Sequence, residues 1–442
     1  MSESGLFAAV FSTPELDAAF SAQAWLQALL DFEAALSRVQ ARAGRVPQRA
    51  ADAIAAACRA EHFDAESLAR ATAAAGNPVI PLVRALVESL PREASDFVHL
   101  GATSQDALDT ALMLLCQKAL DRVLALLDSL CERCAELAHA HRASVMPART
   151  LLQQALPTTF GLKAAGWLDA LGDARARLIS LRRAGLAAQL GGAAGTLAAL
   201  GPDALALAAA LARELGLADP ALPWHAQRGR VAELGCALGV TAGALGKLAL
   251  DLALLAQTEV GELRESAAPQ RGGSSTLPQK RNPVGAAAAL ACAKRAPGLV
   301  ATLLSALPQE HERGVGGWQL EWETLPELFR VTGAAASHLR DALRGLEVDT
   351  ARMRANLAAS GGAISAERVA LLLTPALGRL AAQERVAAAS RSPLPLREAL
   401  ARDPEVGAAL AGASLDELLD PVHYLGEAHA LVERALARHR GR

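Results

Sequence analysis

Tyrosine occurs once in these 442 residues, and the three aromatic types together make up only 3% of the chain. Since 52% is nonetheless hydrophobic, the apolar mass must come from Ala, Leu and Val, whose small and unbranched members favour helix. Period-two alternation, the mark of half-buried strands, is nearly absent. So is any repeat of roughly 20 to 50 residues, which disfavours a solenoid. The expected fold class is all-α, helix packed on helix. An excess of either charge is missing too: 44 Lys and Arg stand against 46 Asp and Glu, a net charge of −2. Without a global field to hold a polyanion, neither nucleic acid nor a membrane surface is an expected partner.

Other signals are absent. The opening MSESGLFAAVFSTPEL carries acidic residues where an export signal carries positive charge, and its apolar stretch is too short. The cytoplasm is therefore the expected location, with the six cysteines reduced. Cys131 and Cys134 form a CxxC, but inside a helical pattern and without a second pair, which reads as structural. Lys247 and Asp251, or Gly201-Pro202-Asp203, break the most apolar runs before they could span a bilayer, so no membrane helix is expected. His139 and His141 point to different faces of a helix, and His62, His338, His423, His429 and His439 are scattered, so no metal is expected. With no P-loop and no dinucleotide fingerprint, no organic cofactor is expected either.

The chain is longer than the roughly 250 to 300 residues that one core serves. Residues 1–106 read as an N-terminal helical domain, with turn signals at Ala43-Gly44-Arg45-Val46-Pro47 and Gly76-Asn77-Pro78. From about residue 107, Leu112, Leu115, Ala119, Val123, Leu127, Leu130, Cys134 and Leu137 recur at three- and four-residue steps. They predict one helix roughly 45 Å long. Patterns near 157–190, 228–262 and after Pro283 complete a long-helix domain over 107–348. In ALGVTAGALGKLALDLALLAQ and GAAAALACAKRA the small and apolar positions go most of the way round, more than one facing core needs. Such helices need several neighbours, so the bundle is expected to continue into other subunits, a large monomeric bundle being the alternative. Residues 349–442 return to short helices punctuated by Ser360-Gly361-Gly362, Ser392-Pro393 and Asp420-Pro421, a third domain.

GGSSTLPQKRNP at 272–283 is the most informative segment. Its glycines, serines and proline interrupt helix, and Asn282-Pro283 suits a restart, Asn as cap and Pro as first helical residue. Read from its residues alone, it presents hydroxyls, one ammonium and a row of backbone N–H groups near a helix N-terminus, an arrangement that suits an anion. A serine moves a proton at carbon only if donors stabilise its alkoxide and water is excluded, which a closing loop supplies. A polar surface loop is the plain alternative.

GSSTLPQKRNP is similar to the signature of the fumarase/aspartase superfamily: Gly-Ser-Ser, a hydrophobic residue, Pro, a basic residue and Asn-Pro. HLGATSQDALDT at 99–110 resembles that superfamily's first motif and ARTLLQQALPTTFG at 148–161 its second. The resemblance covers about residues 77–330 and extends more weakly to the C-terminus. It implies a homotetramer acting on small polycarboxylates, with composite sites where motifs of three subunits meet. Carried over by position, Ser274 is the catalytic serine, and Lys280 and Asn282 hold the carboxylate that becomes electron-rich. Thr103 and Ser104 bind a substrate carboxylate, His99 shapes the pocket, and Gln153 matches the second motif's glutamine. Taken singly, His99 reads as a structural histidine and Thr103 or Ser104 as a helix cap. Three motifs in one chain weigh against that.

The chemistry this implies is anti elimination or addition across a bond next to a carboxylate, through a resonance-stabilised dianion. Adenylosuccinate lyases carry a histidine directly after the threonine of the second motif. Here Leu151 stands there, able neither to donate nor to accept a proton. Where those enzymes place an acidic residue and then Arg before a Leu-Pro, this chain has Glu321-Trp322 before Leu325-Pro326, without an arginine suited to phosphate. GNPVIPLVRAL at 76–86, LPWHAQRGR at 222–230 and DPVHYLGEA at 420–428 look like the bacterial 3-carboxy-cis,cis-muconate cycloisomerases, in which a substrate carboxylate closes a lactone. Asn77 is thereby a candidate substrate contact, with His225 and Arg228 nearby; a turn and inter-helix polar contacts are the alternatives. Two other readings stand beside this one: a different lyase of the superfamily with His225 or His311 as acid, and a non-catalytic helical scaffold.

Overall fold

The computed structural model describes residues 5–266, 272–273, 276–277, 279–410 and 412–441, and it is helical through most of its length, as the composition leads one to expect. The helices that matter for the site are α1 (Ala22–Arg42), α2 (Val79–Glu88), α3 (Ser104–Ala140), α4 (Phe160–Ser180), α5 (Gly229–Leu255), α6 (Val284–Ser305) and α7 (Gly317–Arg344). α3 runs 37 residues because its apolar step never slips: Leu112, Leu115, Ala119, Val123, Leu127, Leu130 and Cys134 are each at most 1% exposed. Cys131 and Cys134 are buried within it, and burial pushes the Cys134 thiol up. After residue 349 the short helices follow the turn signals, with Gly361 and Gly362 both at positive φ.

Three features depart from the sequence reading. A hairpin, β1 (Val145–Thr150) and β2 (Gln153–Thr159), stands where no strand is expected, so α4 begins at Phe160 rather than 157. Thr150 pairs with Gln153, leaving Leu151 and Leu152 as a two-residue turn with φ of 50° and 66°. Turns with positive φ at both positions are normally built from Asn-Gly, and Leu-Leu gives no such signal. α7 is a further long helix, hidden by Pro326 in its interior, a residue that usually ends or kinks a helix. Finally, α5 and α6 are long and apolar enough, by length and composition alone, to cross a membrane. Lys247 and Asp251 do not break α5: they pair one turn apart, the ammonium exposed and the carboxylate buried, where it also accepts from Trp167 Nε1 at 2.7 Å.

The chain divides into two compact units: 1–128, 173–246 and 288–338 form the first, and 129–172, 247–287 and 339–442 the second. In the first, the opening turns of α3 bury Gln105, Asp106, Asp109 and Thr110. Asp109 receives Arg228 Nη1 and Nη2 at 2.7 and 3.0 Å and Trp318 Nε1 at 3.0 Å. Arg228 Nε donates in turn to Glu321 at 2.9 Å, and Nη2 donates to the same carboxylate. Burial works to lower the pKa of that guanidinium; the two carboxylates outweigh it and hold it above the ordinary arginine value. α7 closes on the N-terminal segment at Gly333, where a Cβ would come within 2.2 Å of the Leu16 side chain. In the second unit, Val145, Leu357 and Ile364 form a small core at the hairpin. A larger one joins Val369, Leu373, Ala382, Val386, Leu396, Leu400 and Val406.

Removing the guanidinium would leave two carboxylates buried face to face. Arg228→Leu is expected to destabilise the fold by about 3–5 kcal/mol, read as a fall in the urea midpoint followed by tryptophan fluorescence. Arg228→Lys should recover only part of it, since one ammonium cannot meet both carboxylates bidentately.

Candidate active site

His99, Thr103 and Ser104 come together in the first unit where the chain turns sharply into α3. His99 and Gly101 have φ of 55° and 77°, and a Cβ on Gly101 would meet the Leu200 side chain at 2.4 Å. The turn is held by Asp106, whose carboxylate accepts from Thr103 N at 3.0 Å and from Gly191 N and Gly192 N, both at 2.9 Å. The same carboxylate lies 2.7 Å from His225 Nε2. Thr103 occupies the cap position, but its hydroxyl accepts from Arg313 Nη1 at 2.9 Å instead of capping α3. Ser104 is the first helical residue.

The His99 imidazole leans on α1: its Nδ1 lies 2.6 Å from Oε1 of Glu33, a carboxylate only 2% exposed. Burial works against the imidazolium, but Glu33, by charge and hydrogen bond, and Asp106 more than offset it, so the His99 pKa sits above its ordinary value. Nε2 has no protein partner among the described residues and is the end of the ring able to meet a ligand. Glu33 escaped sequence reading, although a glutamate amid the apolar run of α1 is a signal that it is paired. His225 and Arg228 prove to be buried inter-helix contacts, committed to Asp106 and to Asp109 and Glu321. His311 is exposed, at φ 46°. Asn77 Oδ1 accepts from Val79 N and Ile80 N at the start of α2, at 3.0 and 3.3 Å, leaving only its amide NH2 for a ligand.

The second unit carries the other candidates. Ser274 lies outside the described residues. The base of its segment is closed by Asn282 N donating to Gly272 O at 2.8 Å, and Arg281 donates to Glu265 O at 2.8 Å and to Glu347 at 3.1 Å. Lys280 is exposed. The row of N–H groups opening α6, which the sequence offers to an anion, is taken by the chain itself: the Glu265 carboxylate accepts from Gly285 N at 3.0 Å and Ala286 N at 2.8 Å. Helix begins at Val284, with Pro283 O accepting from Ala287 N, so Pro283 rather than Asn282 takes the cap position. That frees the Asn282 side chain from capping.

Gln153 is exposed beside the Leu151-Leu152 turn, whose side chains are 97% and 73% exposed. No hydrogen bond among the described residues joins Gln153 to Lys280 or Asn282. The strand leading into the turn is fixed by Arg149, which donates to Glu262 at 3.0 and 2.7 Å; Asn356 donates to the same carboxylate at 2.7 Å. The described residues of the chain thus present two sets: an imidazole and two hydroxyls at the head of α3, and an ammonium, two amides and an apolar turn in the second unit.

The profile of a family described as Lyase matches residues 10–298. This chain belongs to the fumarase/aspartase superfamily. A second profile, described as Adenylosuccinate lyase C-terminus, matches residues 362–435. Among superfamily members, the 3-carboxy-cis,cis-muconate cycloisomerase of Pseudomonas aeruginosa is 51% identical over 441 residues, covering 98% of this chain and 96% of that one. The nitrosuccinate lyase of Streptomyces davaonensis is 46% identical, covering 98% and 94%. The crystal structure of the 3-carboxy-cis,cis-muconate lactonizing enzyme from Pseudomonas putida superposes with a TM-score of 0.93 at 47% identity, over 99% of each chain.

Glu33→Gln removes the charge that raises the His99 pKa. The His99 imidazolium should then lose its proton at a lower pH than in the wild type, seen by NMR of 13C-labelled histidine; an unmoved titration would mean that Glu33 does not control it.

Proposed function

We propose that this protein is a 3-carboxy-cis,cis-muconate cycloisomerase, an intramolecular lyase of the protocatechuate branch of aromatic catabolism, working as a cytoplasmic homotetramer. The observation that carries the reading is the end-to-end likeness to the Pseudomonas aeruginosa enzyme of that name. Leu151 supports it. It stands at the hairpin tip where adenylosuccinate lyases keep a histidine, and a carboxylate nucleophile or leaving group needs no proton from the enzyme.

In this mechanism an oxygen of one substrate carboxylate bonds to the alkene carbon beta to a second carboxylate. The alkene electron pair moves to the alpha carbon and spreads over that second carboxylate as a dianion, which Lys280 and Asn282 stabilise. The Ser274 hydroxyl gives its proton to the alpha carbon, and its alkoxide recovers one from solvent. A trianion becomes a dianionic lactone with net uptake of one proton. The His99 imidazolium and the Thr103 and Ser104 hydroxyls hold another carboxylate, with Gln153 and the Asn77 amide as further donors.

Two observations support a composite assembly. Only 28% of the most apolar stretch of α6 is buried within one chain, and the Leu151-Leu152 turn exposes two large apolar side chains in a strained conformation. A second reading, another lyase of the superfamily, draws on the likeness to the nitrosuccinate lyase.

An ultraviolet assay with 3-carboxy-cis,cis-muconate, beside nitrosuccinate, adenylosuccinate and fumarate, separates these. Loss of the conjugated diene with the muconate alone is expected; turnover of another substrate instead would overturn the reading. Ser274→Ala should lower kcat by roughly 10²- to 10⁴-fold while light scattering still reports four chains. Activity near wild type in that variant would remove Ser274 from the mechanism.

A further inference from the structure

The small core at the base of the hairpin does not fill the space around it. Val145, Leu357 and Ile364, with Leu425 packed against them, wall a cavity of about 610 Å³ inside the second unit. Protein interiors are close-packed and hold few voids larger than a water molecule. Apolar space on this scale instead matches ligand pockets, which measure roughly 300–1,000 Å³.

The rim of the cavity is polar. Arg354, on the helix α8 (Thr350–Ala358), and His429, on the C-terminal helix Ala428–Arg440, line it and are exposed. Neither makes a hydrogen bond or ion pair among the described residues. Asp420 is the third ionisable group there, and its Oδ1 accepts from Val422 N at 3.0 Å, which fixes the carboxylate in place. A guanidinium with all its donors free can fork one carboxylate, and His429 adds a ring N–H. Asp420 repels a second carboxylate. With apolar walls beneath, this rim is the complement of a monocarboxylate with a hydrophobic body. A small polycarboxylate brings too much charge and too little apolar surface for it.

The walls are also tied to the hairpin. Between Arg354 and Leu357 on α8, Asn356 Nδ2 donates to Val260 O at 2.9 Å and to Glu262 at 2.7 Å, and Glu262 is the carboxylate that holds Arg149 of β1. Val145, at the other end of β1, is itself part of the wall and pairs with Thr159 of β2. A molecule filling the cavity therefore braces both ends of the strand that leads to Leu151 and Gln153. We propose that this cavity binds an apolar monocarboxylate, an aryl- or alkyl-carboxylic acid with its carboxylate on Arg354, and that its occupancy steadies the hairpin carrying Gln153.

Calorimetry on the full chain with 3-phenylpropanoate tests the site. A dissociation constant below about 1 mM is expected, with 3-phenylpropan-1-ol and phenylsuccinate each weaker by at least about threefold. Arg354→Gln should weaken the acid about 3- to 30-fold and leave the alcohol unchanged. Asp420→Asn keeps a capping side chain but removes its charge, and should bring phenylsuccinate level with the monocarboxylate. Ala358→Phe, at the exposed end of α8, should fill the cavity and abolish binding. Saturating 3-phenylpropanoate should slow hydrogen exchange over residues 145–159 at least about twofold in the wild type and not in Ala358→Phe. No binding by the wild type, as when a second copy of the chain fills the cavity, would overturn the proposal. So would equal binding of acid and alcohol, binding that survives Ala358→Phe, or binding that leaves exchange in the hairpin unchanged.

Discussion

A single buried carboxylate decides where the first motif can be. Asp106, in the first turn of α3, accepts three backbone N–H groups from two separate segments and sits against the His225 ring. Backbone donors gathered on one carboxylate leave it little freedom to move. The Thr103-Ser104 elbow, the Gly191-Gly192 turn and His225 are therefore positioned together rather than one by one. Asp109, one helical turn on, does the same for Arg228, Trp318 and through them Glu321. This arrangement also settles the role of His225. A histidine that is 4% exposed, with Nε2 engaged by Asp106 and its carbonyl receiving Gln105, braces the motif and is poorly placed to protonate a leaving group.

The hairpin tip follows the opposite logic. Holding a bulky residue in the left-handed region costs roughly 1–2 kcal/mol, and Leu151 and Leu152 incur this twice while displaying their side chains to solvent. The strand beneath is secured by Arg149, which pairs with the buried Glu262 carboxylate that Asn356 also meets. Within one chain the turn is all cost. Under the proposed assembly it becomes the apolar wall of a neighbour's site, and the strain is the means by which a leucine is presented where a related enzyme presents a histidine.

What could be read in the sequence tracks how local the determinants are. α3 was legible because its apolar step is regular for some thirty residues, and the C-terminal helices because Gly361, Gly362 and their like mark their own turns. The hairpin was not, since Leu-Leu is an improbable turn and only tertiary anchoring through Glu262, 113 residues from Arg149, makes it pay. α7 was hidden by Pro326, which lies in its interior. At the proposed site, the motif residues His99, Thr103, Ser104, Gln153, Lys280 and Asn282 could be named from resemblance. Glu33 and Arg313 could not: each acts on a motif residue from 66 and 210 positions away, and neither lies in a pattern of its own. The helix start after Pro283 misled for the same reason, because Glu265, 20 residues upstream of Gly285, already fills the anion position there.

The pattern of what is kept and what is lost is chemically consistent. An enzyme that expels an amine must supply a proton to it, and the histidine of the second motif does so in the adenylosuccinate lyases. When the nucleophile is a carboxylate belonging to the substrate, that proton is unnecessary and an ionisable group at Leu151 would only stabilise the charge that ring closure must consume. Cations, in contrast, become more important, because the substrate brings its nucleophile as additional negative charge. A site built for this chemistry would set its imidazole against a buried carboxylate and keep an ammonium for the developing dianion. Under the proposed function, His99 with Glu33 and Lys280 fit those two requirements.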